Sequence, residues 1–386
     1  MTSPRIQPQG LLSGLRILDL TRLLPGPAAT QQLADLGAEV LKIEESHGDP
    51  ARHMGPPAGN SFAFQAVNRH KRFATLDLKQ EEGRQRLLAL AAEADALVES
   101  FRPGTMARLG LGWDALQAAN PRLVLCSISG YGQHGPYAQY AGHDINYLAM
   151  AGMLHPVTHS NGVVVLPGLP LSDVLGAQAA ATGIVAALLH TRLHGAGVHL
   201  DVALVDAALG ANPLALAAAN AGQEAEPAGQ GLLNGGAPCY NLYRCADDLY
   251  LAVGALETKF WEKLVQGLEL SELADRHWSR GLAPGSPASQ EVRAVLAARF
   301  ATAPRGEWLA KLEPLDCCVT PVLGLDEALE HPLFRLRGAA GAAPASKGSP
   351  RLWVAPAQRL ADKAFAPQRE AQATGHDDPP AWQDGA

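Results

Sequence analysis

Residues 15–43 constrain the fold of this chain more than any other segment. Residues 15–20 (LRILDL) form a short, nearly continuous apolar run, and Pro25-Gly26-Pro27 interrupts it. Residues 28–36 have helical spacing that stops at Gly37, and residues 39–43 (EVLKI) form a second apolar run. A short apolar run without alternation is the pattern of a strand covered on both faces. A helix between two such strands carries the chain back along the sheet, so the strands pair in parallel and the segment predicts a βαβ unit.

The pattern repeats. Residues 74–78 read as a strand, and 80–94 as a helix with Leu87, Leu88, Leu90 and Ala91 as its apolar stripe. Residues 96–98 and 123–128 read as strands, 173–193 as a long, mostly apolar helix buried on most sides, and 198–204 as one more strand. This is the repeat of a doubly wound α/β domain. Beyond Asp206 the character changes. Residues 207–220 read as an Ala-rich helix with Pro213 inside it, and a polar Gly/Pro stretch over 222–236 reads as a connection between domains. Then come a strand over 249–253, an amphipathic helix over 258–268 with Phe260, Trp261, Leu264 and Val265 on its apolar side, and helices over 289–300 and 307–312. From Gly338 onward there is little periodicity, and part of that stretch is expected to be loop. A chain of 386 residues exceeds what one core holds, so two domains are expected.

Composition narrows the function classes. The formal charge of -7 argues against a general nucleic-acid binder, though local basic residues can still hold an anionic ligand. The five cysteines are irregularly spaced with no C-x-x-C, which fits a reducing compartment better than a disulfide framework or a zinc site, and no metal is expected. The opening MTSPRIQPQG lacks the charged-then-apolar pattern of a secretory leader, and the ending WQDGA is unlike a peroxisomal Ser-Lys-Leu address. The longest apolar stretch, 177–189, is shorter than the roughly 20 residues a bilayer needs. A cytoplasmic protein without a membrane partner is therefore expected. The first strand-to-helix turn, TRLLPGPA, has neither G-x-G-x-x-G nor a Walker lysine. The close backbone approach a dinucleotide pyrophosphate requires is thus not provided, which argues against a nicotinamide oxidoreductase.

Three short stretches carry residues suited to chemistry. Gly142-His143-Asp144-Ile145-Asn146 follows a turn-rich loop and opens an apolar segment, where Asp144 or Asn146 can cap a helix. Free N–H groups at such a start stabilise a developing oxyanion beside the imidazole; alternatively His143 is one of 13 histidines and only packs or caps. Ser172-Asp173 precedes the long apolar helix. Either residue can be a plain N-cap, or Asp173 can be a base whose pKa is raised by burial and lowered by helix N–H groups. Glu257, after Gly254-Ala255-Leu256, can be a helix-start carboxylate or a partner that fixes the His143 tautomer.

Several stretches together resemble one family. They are LSGLRILDLTRLLPGP, LADLGAEVLKIE, NRHKRFATLDLK, ESFRPGTMARLGLG, SISGYGQHGP and TRLHGAGVHLDVALVDAAL, and from Leu12 to about Arg337 the chain is similar to the family III CoA-transferase superfamily. AGHDINYLAMAGML and NGGAPCYNLYRCADDLYLAVGALETKFW resemble its α-methylacyl-CoA racemase branch; transferases usually carry a tyrosine before the aspartate where this chain has His143. The resemblance implies a family III CoA-transferase fold, α/β, with a doubly wound Rossmann-like large domain and a smaller α+β domain, in an interlocked homodimer. On that reading the large CoA-binding domain covers 1–205 and is completed by about 340–386. A linker helix and loop covers 206–233, the small domain 234–321 and a return linker 322–339.

For chemistry, the resemblance implies that His143 and Asp173 are the two α-proton bases and that the Asp144 N–H is the oxyanion donor. Glu257 partners His143, reaching it from the other subunit. Arg102, in FRPG, falls where the family binds CoA; Lys42, Arg69 and Lys71 are further candidates for CoA phosphates, and Arg22 faces the ligand. The expected reaction interconverts (2R)- and (2S)-2-methylacyl-CoA thioesters through an enolate, with CoA as part of the substrate and no other cofactor. The alternative is a CoA-transferase using Asp173 as nucleophile. Two proton-transfer groups on opposite faces of one carbon suit racemisation, and His143, Asp173 and Glu257 would titrate as a coupled set. The chain departs from the branch at DVLGAQAAATG, where racemases carry DFGGG, and at Thr258-Lys259, where Pro-Gln is usual. The stretch beyond Ala343 matches poorly.

Overall fold

A computed structural model of the chain describes residues 10–155, 164–224, 226–343, 351–354, 357–358 and 382. They form two compact units, one holding the described residues of 1–151, 170–211 and 332–386, the other those of 152–169 and 212–331.

In chain order the first unit contains β1 (Arg16–Leu20), α1 (Pro25–Asp35), β2 (Glu39–Glu44), α2 (Phe62–Ala66), β3 (Arg72–Thr75), α3 (Glu81–Ala92) and β4 (Ala96–Glu99). It continues with α4 (Thr105–Arg108), α5 (Trp113–Ala119), β5 (Val124–Ser129), α6 (Asp144–Met150), α7 (Leu171–His194), β6 (Val198–Ala203) and α8 (Leu204–Gly210). The six strands pair in parallel in the order β3-β2-β1-β4-β5-β6. The fold is therefore doubly wound: winding proceeds from β1 outward to β3, returns to the centre at β4, and proceeds the other way to β6. The switch of direction between β1 and β4 opens a crevice at the carboxyl ends of the strands.

Both faces of the sheet are covered. Ile17, Val40, Ala96, Val98, Val124, Cys126 and Ile128 pack against Ala29 and Leu33 of α1 and Ala177, Ala180, Ile184 and Leu188 of α7. Leu18, Leu20, Leu41, Ile43, Leu97 and Leu125 pack against Leu87 and Leu90 of α3, Leu116 of α5 and Trp382, whose indole N–H donates to the Leu90 carbonyl at 3.2 Å. Each Val, Leu and Ile side chain among them contributes roughly 1.5–3 kcal/mol by leaving water.

The second unit contains α9 (Pro213–Asn220), β7 (Tyr240–Arg244), β8 (Tyr250–Gly254), α10 (Thr258–Gly267), α11 (Pro287–Phe300), α12 (Arg305–Leu312), β9 (Val319–Pro321) and α13 (Leu325–Glu330). Its three strands form an antiparallel sheet, β7-β8-β9, over a core that includes Tyr243, Leu251, Val253, Trp261, Leu264, Val265, Leu296, Phe300 and Trp308. The chain then returns to the first unit with α14 (Pro332–Leu336) and an antiparallel pair, β10 (Ala340–Ala343) and β11 (Arg351–Val354). Much of the stretch after Gly338, expected to be partly loop, lies outside the described residues.

Three expectations are corrected. The strand expected over 74–78 is Arg72–Thr75, because Asp77 accepts the Lys79 N–H at 2.9 Å and turns the chain toward α3. The single helix expected over 207–220 is two, α8 and α9. Pro213 lacks an N–H and clashes with the preceding turn, so helix restarts there, with the Asn212 side chain accepting from Ala215 N. Finally, α7 is long and apolar enough to cross a bilayer by length and composition, yet it packs on α1, β5 and β6. It is less enclosed than expected: Val185, Leu189 and Leu193 form an exposed row four residues apart.

Candidate active site

The carboxyl ends of the strands carry two groups of charged residues. The first lies at the switch point. Asp19 sits near the end of β1, fully buried, and gathers the hydroxyl and N–H of Thr21 (2.5 and 2.9 Å), the Thr30 hydroxyl (2.6 Å) and the Lys71 ammonium (2.9 Å). Burial pushes its carboxyl up, but the Lys42 and Lys71 charges and the two hydroxyls outweigh burial and hold it well below the usual carboxylate range. Lys42 in β2 is also buried, donating to the Thr21 carbonyl at 2.5 Å and pairing with Asp49 at 3.1 Å.

This network corrects two expected phosphate contacts, Lys42 and Lys71. Lys71 spends its three donors on Asp19, the Pro27 carbonyl and Asn68, each at 2.9 Å, and burial brings its pKa down to about 8. Lys42 is likewise enclosed. Neither ammonium faces solvent, where a phosphate would arrive. Arg69, one-third exposed, is forked onto Asp35 through Nε (2.9 Å) and Nη2. These cations are partners of buried or half-buried acids.

Arg22 and Arg102 are different. Both are exposed, and no carboxylate pairs with either among the described residues. Arg22 follows β1; its N–H donates to Ser100 Oγ at 3.2 Å and its guanidinium lies 5.8 Å from the Phe101 ring. The next residue, Leu23, is held at φ 66° while its N–H donates to Asp49 at 3.0 Å. Arg102 follows β4 as the first residue of a type II turn: Pro103 is second, Gly104 third at φ 80° and ψ -4°, and Thr105 N–H donates to the Arg102 carbonyl at 3.0 Å. The buried Glu99 carboxylate accepts the Phe101 N–H at 2.7 Å and fixes this loop, and burial pushes its pKa up to about 7. The two arginines thus flank the crevice between β1 and β4.

The second group lies where α6 and α7 begin. His143 is the exposed residue preceding α6, and its N–H donates to Asn146 Oδ1 at 3.0 Å, so Asn146 caps α6. Asp173 stands in the first turn of α7. The expectation that Ser172 or Asp173 caps α7 is corrected: the helix begins at Leu171 after Pro170, whose side chain cannot cap. The cap comes from α6 instead. Asp144 Oδ1 accepts the Ser172 N–H at 2.7 Å, the Ser172 hydroxyl at 2.5 Å and the Asp173 N–H at 3.2 Å. The starts of the two helices are thereby pinned together, with His143 leading one and Asp173 in the other. Burial, and then the charge of Asp144, push the Asp173 carboxyl up to about 6. Beneath them Tyr147 donates to the Gly142 carbonyl at 2.6 Å; a Cβ at Gly142 would lie 2.7 Å from the Tyr147 ring, which explains the glycine before His143. Glu257 belongs to the second unit, exposed at the start of α10.

The model of the family described as CoA-transferase family III matches residues 12–377. The chain belongs to CoA-transferase family III. It is 35% identical over 329 residues to the α-methylacyl-CoA racemase of Homo sapiens, covering 85% of this chain and 81% of that one. It is 36% identical over 325 residues to the succinyl-CoA:glutarate CoA-transferase of Mus musculus, covering 83% and 74%. A solved CAIB/BAIF family protein from Brucella suis superposes with a TM-score of 0.80 at 28% identity, covering 94% of this chain and 96% of that one. This family III member therefore stands at the same distance from relatives named for two chemistries.

Sequence reasoning missed the Asp144 side chain, having placed that residue as an α6 cap or a backbone donor. One signal was present. Pro170 precedes the long helix and offers no side-chain acceptor, so its first N–H groups needed one from elsewhere.

Proposed function

We propose that this family III enzyme interconverts (2R)- and (2S)-2-methylacyl-CoA thioesters. The observation that carries the reading is the pinned pair of helix starts, one led by a histidine and the other bearing an aspartate raised to about 6. A group is an effective proton carrier when its pKa lies near the working pH. On this reading His143 and Asp173 act from opposite faces of the α-carbon, one removing the proton and the other delivering one. The first N–H groups of α6, at Asp144 and Ile145, precede the point where helix bonding begins and receive the enolate oxygen. Arg22 and Arg102 take CoA phosphates at the switch-point crevice. CoA enters as part of the substrate, and the reaction so written needs no metal or redox group.

On the same reading, Glu257 of a second copy of the chain orients the His143 ring. On this reading the site lies between subunits of a homodimer; the exposed apolar row Val185, Leu189 and Leu193 on α7 supports such an assembly. The cytoplasm is the proposed compartment. A second reading, CoA transfer with the Asp173 carboxylate as nucleophile, is favoured by the equal identity to the mouse transferase.

The test incubates one epimer of a 2-methylacyl-CoA with the enzyme in deuterated water without an acceptor acid. Deuterium uptake at the α-carbon with loss of optical purity is expected. No deuterium uptake there, together with CoA passing to succinate in a parallel reaction that contains it, overturns the reading.

A further inference from the structure

We infer that the side-chain carboxylate of Asp144 is a positioning residue: it clamps α7 to α6 so that His143 and Asp173 are held in register. The inference rests on the reading that those two residues are the proton carriers.

The clamp is specific in geometry. A single oxygen, Oδ1, gathers two backbone N–H groups and one hydroxyl, all from the first turn of α7, while the Ser172 hydroxyl also lies 3.2 Å from the Asp144 carbonyl. A carboxylate at a helix N-terminus also meets the positive end of the helix dipole, so the contact is favourable electrostatically. It joins residues 28 and 29 positions apart, and the residue on its amino side is His143. A displacement of either helix start would move one proton carrier relative to the other, and misplacement by about 1 Å can cost about 100-fold in rate.

The charge has a separate effect. On α6 and α8, which pack against α7, the titratable groups are His143, Asp144, Tyr147 and Asp206; α1, β5 and β6 carry Asp35, Cys126, His199 and Asp201. Of all these charges only that of Asp144 lifts the Asp173 carboxyl. Tyr147, pushed up to about 12 by burial, stays neutral. The Asp144 charge beside Asp173 thus helps keep that carboxyl able to accept a proton near neutrality.

Two variants separate the effects. Asp144→Ala removes both acceptor and charge. Asp144→Asn keeps an oxygen for Ser172 and Asp173 and removes only the charge. Asp144→Ala is expected to lower kcat about 100-fold with KM changed less than about 3-fold. Asp144→Asn is expected to recover most of that loss at its own optimum, with the acid limb of its pH profile displaced downward by about 1 unit. Carboxyl carbon NMR titration of Asp173, assigned with Asp173→Asn, reads the same shift without any turnover. Equal loss in both variants with an unmoved Asp173 titration overturns the inference, as does wild-type kcat in Asp144→Ala. If Asp144→Ala fails to fold, the Asp144→Asn titration decides. Should the wild type transfer CoA without exchanging the α-proton, the functional reading fails, while the loss of transfer rate in Asp144→Ala against Asp144→Asn still judges the clamp.

Discussion

Asp19 and Asp173 both stand toward the carboxyl ends of the strands of one sheet, and their carboxyls are driven in opposite directions. Asp19 is surrounded by two ammonium groups and two hydroxyls and lies well below the ordinary range. Asp173 has no cation among its perturbers, only burial and a second aspartate, and lies near 6. The difference teaches what separates an acid spent on the fold from one still free to take up a proton. Charge that is matched in the folded state stabilises the fold and is chemically silent; charge left unmatched costs stability and stays available to take a proton.

The largest expected effect breaks the matched side. Asp19→Asn leaves the buried Lys71 without its counter-charge and should cost about 3–5 kcal/mol, read by urea denaturation. Stability unchanged by this substitution would end the comparison. Because the folded carboxyl of Asp19 lies below its unfolded value, its contribution is complete above about pH 4 and lost as the pH falls through the folded value.

Asp173→Asn should do the reverse: turnover falls about 10²–10⁴-fold, and stability holds or rises. A carboxyl raised in the folded state gives its full contribution below about pH 4 and loses it as the pH rises toward 6, so denaturation of the variant should show less decline over that window.

The cations sharpen the contrast. Arg102→Ala, at an unmatched guanidinium, should raise KM for the CoA thioester about 10-fold with kcat little changed, since a charge-assisted contact is worth about 1.5–3 kcal/mol. Arg69→Ala, at a guanidinium already forked onto Asp35, should leave KM unchanged in the same assay. Thr30→Val, which removes one hydroxyl from the Asp19 carboxylate, should cost about 1.5–3 kcal/mol by thermal denaturation, at or below the low end of the Asp19→Asn loss.

The same contrast explains what was legible in the sequence. The strands β1, β2, β4 and β5 were readable because their apolar runs are continuous. The motif around His143 was readable because a glycine, a histidine and an amide at a helix start are local neighbours. Lys42 and Lys71 were misread as phosphate contacts because a lysine carries its charge in the sequence whether or not it is buried. The corrective sign lay in LRILDL: an acid inside an apolar strand demands cations from elsewhere in the fold. The Asp144 clamp was not legible, because it joins two helix starts that are adjacent only after folding. β7 was missed because its side chains are mostly exposed or half-buried, so its apolar signal is weak.

Trp382 completes the core cluster that Leu97 of β4 shares with Leu87 and Leu90 of α3, yet it is made 292 residues after the carbonyl it bonds. At about 5–20 residues per second, translation takes tens of seconds to cover that interval. For that time the nascent first unit holds an uncovered apolar patch while the ribosome builds the second unit. Chaperone dependence during synthesis should therefore concentrate on that patch, and a Trp382→Ala chain should remain a chaperone client after release.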